Sequence, residues 1–250
     1  LKFLAIHPDG TKAELFYQTV SATKFISKAW ESKDRRVFFM ESNKLVSINF
    51  NRPLNSRKLV SAENQGIYLS IFPMDESQAI VSVKKPAERT FGLSIIDPSN
   101  PGTQTFYFNN SEYHLVEPVI VMSRSVPKKL PSTVNMDRES GYFICMDTDQ
   151  SEINIGEESS VKVQVLGVDK VLGEAPVEED GSFYLEIGAD QPIRFQTLNE
   201  AGEVVREPSS WMWVRPNERR GCAGCHEDRE LAPENIVPMA IEKPPVTMIK

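Results

Sequence analysis

Cysteine is nearly missing from this sequence. Three residues in 250 are too few for a disulfide framework, and a chain of that length can bury a core without one. Long apolar runs are missing too. No stretch approaches the ~20 residues of a membrane helix, and Leu1 to Gly10 has neither a basic n-region nor a long h-region. There is no basic surplus either. Lys plus Arg numbers 28 against 35 for Asp plus Glu, and the resulting charge of −7 repels phosphate backbones and anionic lipid alike. Neither nucleic acid nor a membrane span is therefore expected. The chain begins with Leu, a start that suits a processed secreted protein and a fragment equally. What remains is a globular composition, 40% hydrophobic and 25% charged, that indicates a folded domain or two.

The first 116 residues hold a repeat of pattern rather than identity. Leu4-Ala5-Ile6-His7, Val46-Ser47-Ile48-Asn49 and Ser94-Ile95-Ile96-Asp97 each end a β-type apolar run in a polar turn, at offsets of 42 and 48 residues. Glu14-Leu15-Phe16-Tyr17, Arg57-Lys58-Leu59-Val60 and Gln104-Thr105-Phe106-Tyr107 follow them, and Val37-Phe38-Phe39-Met40 matches Ala79-Ile80-Val81-Ser82. A period of this size with about four short strands is that of β-propeller blades. Roughly two and a half blades fit, fewer than the ~4 of a closed ring. The same pattern of short strands and turns also suits a sandwich.

Residues 117–135 read as a linker, because Pro118, Pro127 and Pro131 remove ladder donors and fix extended backbone. From 136 to 214 the alternation of Val161, Val163 and Val165, of Phe183, Leu185 and Ile187, and of Ile193, Phe195 and Thr197 gives strands with one dry face. Asp180-Gly181 and Ala201-Gly202 supply turns, so a small antiparallel β-sandwich is expected there. Tyr142 to Met146 reads as a central strand, which makes Cys145 a small buried hydrophobe. Residues 215–250 form a short haem c-binding segment and an extended C-terminal arm, with Pro233, Pro238, Pro244 and Pro245 opposing a helix. The fold class is therefore all-β: partial propeller blades, then a β-sandwich, then the haem segment.

Chemistry concentrates in Cys222-Ala223-Gly224-Cys225-His226. On one helical turn the two thiols share a side, where each can form a thioether with a haem vinyl group while His226 reaches the iron. One covalent haem c follows. The alternatives are a thioredoxin-like pair, which lacks its βαβ setting, and a zinc site that recruits Cys145, which adjacent Cys225 and His226 disfavour. Arg219 and Arg220 are candidate partners for the propionates or members of a surface salt-bridge cluster. Trp213, with Trp211, either walls the macrocycle or joins the sandwich core. His7 is a turn residue, which leaves His114 and Met239 as candidate distal ligands, His114 ahead because imidazole binds both ferrous and ferric iron well.

Glu117-Pro118-Val119, Pro176 to Phe183, Trp211-Met212-Trp213-Val214-Arg215-Pro216 and Arg219 to Glu227 together resemble the hydrazine synthase alpha-subunit family over about residues 40 to 245. The resemblance implies a propeller, a middle β-domain and a haem c segment in a bacterial periplasm or similar compartment. In the family pattern a Tyr four residues after the motif His ligates the iron, and that His faces a zinc ion; here the position is Glu230. No catalytic residue is assigned. The leading expectation is an exported single-haem protein that transfers electrons to other redox proteins or subunits of a multi-protein complex. The rivals are a haem-dependent oxidoreductase of small nitrogen compounds and a structural subunit stapled by its haem.

Overall fold

The computed structural model describes residues 1–19, 23–61, 66–123, 126, 128–151, 158–207, 209–224, 230 and 235–248, except the side chains of residues 101 and 104. The described strands are β1 (Lys2–Ala5), β2 (Glu14–Gln18), β3 (Trp30–Glu31), β4 (Arg36–Glu41), β5 (Lys44–Asn49), β6 (Lys58–Leu59), β7 (Ile67–Pro73), β8 (Ala79–Lys84), β9 (Gly92–Asp97), β10 (Asn100–Phe108), β11 (Ser140–Asp147), β12 (Lys162–Leu166), β13 (Val171–Pro176), β14 (Phe183–Gly188), β15 (Arg194–Leu198), β16 (Val204–Arg206), β17 (Arg219–Gly224) and β18 (Val246–Met248). A single 3-10 turn, Met239–Glu242, is the only helical element among the described residues. The chain divides into two compact units, Leu1–Phe3 with Leu15–Lys128, and Leu4–Glu14 with Lys129–Lys250.

In the first unit β3 to β6 and β7 to β10 are four-stranded antiparallel meanders, each in sequence order. The repeat falls on equivalent strands. Val37–Met40 and Ala79–Ser82 lie in the second strand of each meander, and Val46–Asn49 and Ser94–Asp97 in the third. β1 and β2 form a two-stranded sheet. Packing explains the apolar run in β4. One face sets Val37, Phe39, Val46 and Ile48 against Tyr17 and Phe3, and the other sets Phe38, Met40 and Leu45 against Tyr68, Ile71, Val81 and Val83. A strand buried on both faces cannot alternate. Each such side chain contributes ~1.5–3 kcal/mol by leaving water. The same layer buries Glu41, which accepts hydrogen bonds from Tyr17 Oη at 2.5 Å and Arg57 Nε at 2.9 Å.

No described residue between Pro118 and Asn135 belongs to a strand. The second unit is a sandwich of two four-stranded sheets, β17-β11-β14-β18 and β13-β12-β15-β16. Its core holds Phe143, Cys145, Phe183, Leu185 and Ile187 from the first sheet and Val163, Val165, Ala175 and Phe195 from the second; Val163, Val165, Phe183, Leu185, Ile187 and Phe195 are residues marked by alternation. The turn before β14 needs Gly181, whose φ is +78° and whose Cβ, if present, would lie 2.3 Å from Asp147 Oδ1.

Three features depart from the sequence reading. β17 occupies the stretch expected to begin a helical turn, because its backbone pairs in parallel with the edge that β11 would otherwise leave open. β18 emerges from the expected extended arm to pair in parallel with β14, and its Met248 enters the core. The same arm holds the 3-10 turn, since Asp180 Oδ2 and Ser182 Oγ accept the amides of Met239 and Ala240 at 2.7 and 3.0 Å.

Candidate haem attachment site

The approach to the cysteine motif is set by the last apolar residues of the sandwich. Met212 and Val214 pack on the core, and the alternation puts Trp211 and Trp213 on the other side. Trp213 is thus not a core residue: its Nε1 donates to Gly10 O at 3.2 Å. Trp211 is 46% exposed beneath the Arg194 guanidinium, 4.8 Å from the ring centroid. The chain then turns at Asn217, where φ is +67°. Glu218 closes that turn. Its buried carboxylate accepts the amides of Lys12 and Arg215, each at 2.7 Å, so residues 9–13 and the start of β17 are held by one charge-assisted pair of hydrogen bonds.

Along β17 the residues alternate between the core side and the outer side. Arg220 pairs with Phe143 and Cys222 with Cys145, on the core side, whereas Arg219 and Gly221 pair with Tyr142 and Ile144 on the other. Arg220 is buried and donates to Trp213 O at 3.2 Å and to Ala13 O. A guanidinium committed to two backbone carbonyls is a clamp, which does not suit it to a propionate. Arg219 is exposed, with its guanidinium 5.9 Å from the Tyr142 ring centroid, so of the two arginines it is the one open to an anionic group. Gly224 comes against the loop after β11, where a Cβ would sit 2.4 Å from Gln150 O.

Cys222, Ala223 and Gly224 are extended, so the motif does not start as the expected helical turn. Cys225 and His226 lie outside the described residues. Cys222 is half-buried on an edge strand beside the core. An edge thiol of this kind fits a thioether, and the packed interior next to it does not fit a macrocycle. The described residues therefore suit the attachment point of a haem c rather than its pocket. Met239 belongs to the same unit and is 39% exposed. Its amide helps to keep Asp180 ionised: burial opposes the charge, but hydrogen bonds from Met239, Ser182 and its own backbone hold the carboxyl below its usual range. His114 belongs to the first unit. Its Nδ1 accepts the Phe91 amide at 3.1 Å, and its ring lies 5.6 Å from the Phe91 ring. That hydrogen bond puts the proton of the neutral ring on Nε2, which leaves no lone pair there for a metal.

Two features of this region escaped the sequence reading. Glu218 looked like one more charge in a mixed cluster, and only its spacing from Arg215, three residues earlier, hinted at a local cap. Cys145 was placed in the core, but its position opposite Cys222 depends on the β11–β17 pairing, which no local pattern announces.

Comparison with known proteins gives a consistent result. Residues 136–227 match the family model described as hydrazine synthase alpha subunit middle domain. The hydrazine synthase subunit alpha of Kuenenia stuttgartiensis is 22% identical, over 77% of this chain and 33% of that protein. The solved structure of Kuenenia stuttgartiensis hydrazine synthase superposes on 96% of this chain and 42% of the matched chain, with a TM-score of 0.70 and 19% identity. The chain thus spans about a third of the length of the curated relative it matches.

Proposed function

Because this chain is similar to the hydrazine synthase alpha-subunit family, we propose that it is an exported, periplasmic single-haem c-type protein that transfers electrons within a larger redox assembly. The observation that carries this reading is the extent of the family match, which runs through Cys222, Cys225 and His226. Cys222 and Cys225 would hold the haem covalently, His226 would ligate its iron, and Arg219 would pair with a propionate. A bound haem c supplies a one-electron iron couple. The protein's part is to hold that group against the sandwich: Glu218 and Arg220 fix the backbone of β17, so the thiol of Cys222 is presented from a rigid edge. Met239 stands ahead of His114 as distal ligand, since His114 would have to give up its bond from Phe91 or lose a second proton in order to bind iron. Partners are other subunits or redox proteins of the assembly. Among the described residues no helix is long and apolar enough to cross a membrane.

The haem-dependent oxidoreductase of small nitrogen compounds is the second reading, favoured by the similarity to hydrazine synthase subunit alpha. Absorption spectra in both oxidation states, with a potentiometric titration, separate the two. Electron transfer predicts a low-spin, six-coordinate iron that cycles reversibly. A high-spin iron whose spectrum shifts on addition of hydroxylamine would replace it with the oxidoreductase. A haem with no redox response would leave a structural staple.

A further inference from the structure

The parallel pairing of β11 with β17 sets Cys145 opposite Cys222. Both side chains lie on the core side, Cys145 within the core cluster at 4% exposure and Cys222 against it at its border. Adjacent strands are about 4.8 Å apart, inside the ~4.4–6.8 Å between Cα atoms that a disulfide spans. β17 is an edge strand.

We propose that Cys145 and Cys222 form a reversible cross-strand disulfide in the haem-free protein, and that this bond controls whether Cys222 can take a haem. The oxidant is a small-molecule disulfide such as oxidised glutathione. Cys222, the more exposed of the two, loses its proton to water and attacks one sulfur of glutathione disulfide, which gives a mixed disulfide and releases one glutathione thiolate. Cys145 then loses its proton and attacks Cys222 Sγ, which forms the Cys145–Cys222 bond and releases the second thiolate. Two protein thiols have given up two electrons and two protons, and one glutathione disulfide has become two glutathiones. Thioether formation adds the S–H of a cysteine across a vinyl group, so the disulfide blocks that reaction at Cys222 until it is reduced. The disulfide stands independently of the haem reading; its controlling role rests on that reading.

The test uses the full chain prepared without haem and equilibrated in glutathione buffers of graded ratio, then acid-quenched, alkylated and digested with trypsin. Oxidising buffer should link peptide 139–162 to peptide 221–229 with the loss of two hydrogens. The link should persist in Cys225→Ser and vanish in Cys222→Ser. Closure of Cys222 onto Cys225 instead, or full alkylation of Cys145 at every ratio, overturns the proposal. In the Cys225→Ser background, haem should attach at Cys222 in reduced protein and not in oxidised protein, and adding Cys145→Ala should restore attachment after oxidation. A disulfide that forms in a chain whose reduced form never takes haem would leave the thiol pair standing and sink the haem reading. Haem attachment that is equal in reduced and oxidised protein would sink the control.

Discussion

Replacing Arg220 with Met tests whether this arginine is a backbone clamp or a haem contact. The side chain is buried and bonds the carbonyls of Trp213 and Ala13. Hydrogen bonds to a charged group contribute about 1.5–3 kcal/mol each, so losing both should remove ~3–6 kcal/mol. Methionine keeps an apolar stem against Phe143, and water can reach part of the exposed carbonyls, which brings the expected loss to ~3 kcal/mol. With a urea m-value of about 2–3 kcal/mol/M, the midpoint should fall by ~1 M. Urea unfolding of the haem-free chain, followed by tryptophan fluorescence, reads this directly, since Trp213 supplies one of the clamped carbonyls. Arg220→Lys should recover only part of the loss, because an ammonium lacks the fork that reaches two carbonyls. A midpoint within ~0.3 M of the parent in the haem-free state, together with altered haem properties in the loaded state, would refute the clamp.

Removing Glu41 by Glu41→Ala should cost ~2–4 kcal/mol, measured by the same unfolding assay, because the carboxylate is buried and binds both Arg57 and Tyr17; an unchanged midpoint counts against that network. Asp9 is held at about 2, below its ordinary 3.8, by hydrogen bonds from Ser132 and from the side chain and amide of Thr11. A carboxyl depressed in the folded state contributes stability above about pH 4 that is lost as pH falls through about 2. An NMR titration of Asp9 should show the low value in the parent and a higher one in Ser132→Ala, and equal values would dismiss the Ser132 contact. For the iron, Met239→Ala should turn a low-spin spectrum high-spin while His114→Ala leaves it unchanged; the reverse pattern would restore His114.

The four-stranded meanders and the sandwich were legible for different reasons. The offsets of 42 and 48 residues work because each meander spends its strands in the same order, so Val37–Met40 and Ala79–Ser82 meet equivalent neighbours. In the sandwich, alternation at Val163, Val165, Leu185 and Ile187 reports one dry face per strand. Arg219–Gly224 carries no such signal. Its strand character comes from hydrogen bonds to β11, residues distant in sequence, and its arginine and cysteine face the core without an apolar pattern. Val246–Met248 was hidden by Pro244 and Pro245, which are compatible with the start of an edge strand. The commitment of Arg220 to Ala13 depends on the second unit containing residues 4–14, a long-range return that spacing cannot reveal. In the candidate site, the cysteine motif stood out in the sequence, whereas the residue that lies opposite its first cysteine did not.

The most direct measurement of the central claim is the intact mass of the protein matured with haem, taken before and after acid–acetone extraction. The account predicts a mass above that of the polypeptide by one haem, unchanged by extraction, and reduced to the polypeptide alone in Cys222→Ala/Cys225→Ala. A haem that leaves on extraction, or a parent mass equal to that of the bare chain, would contradict it.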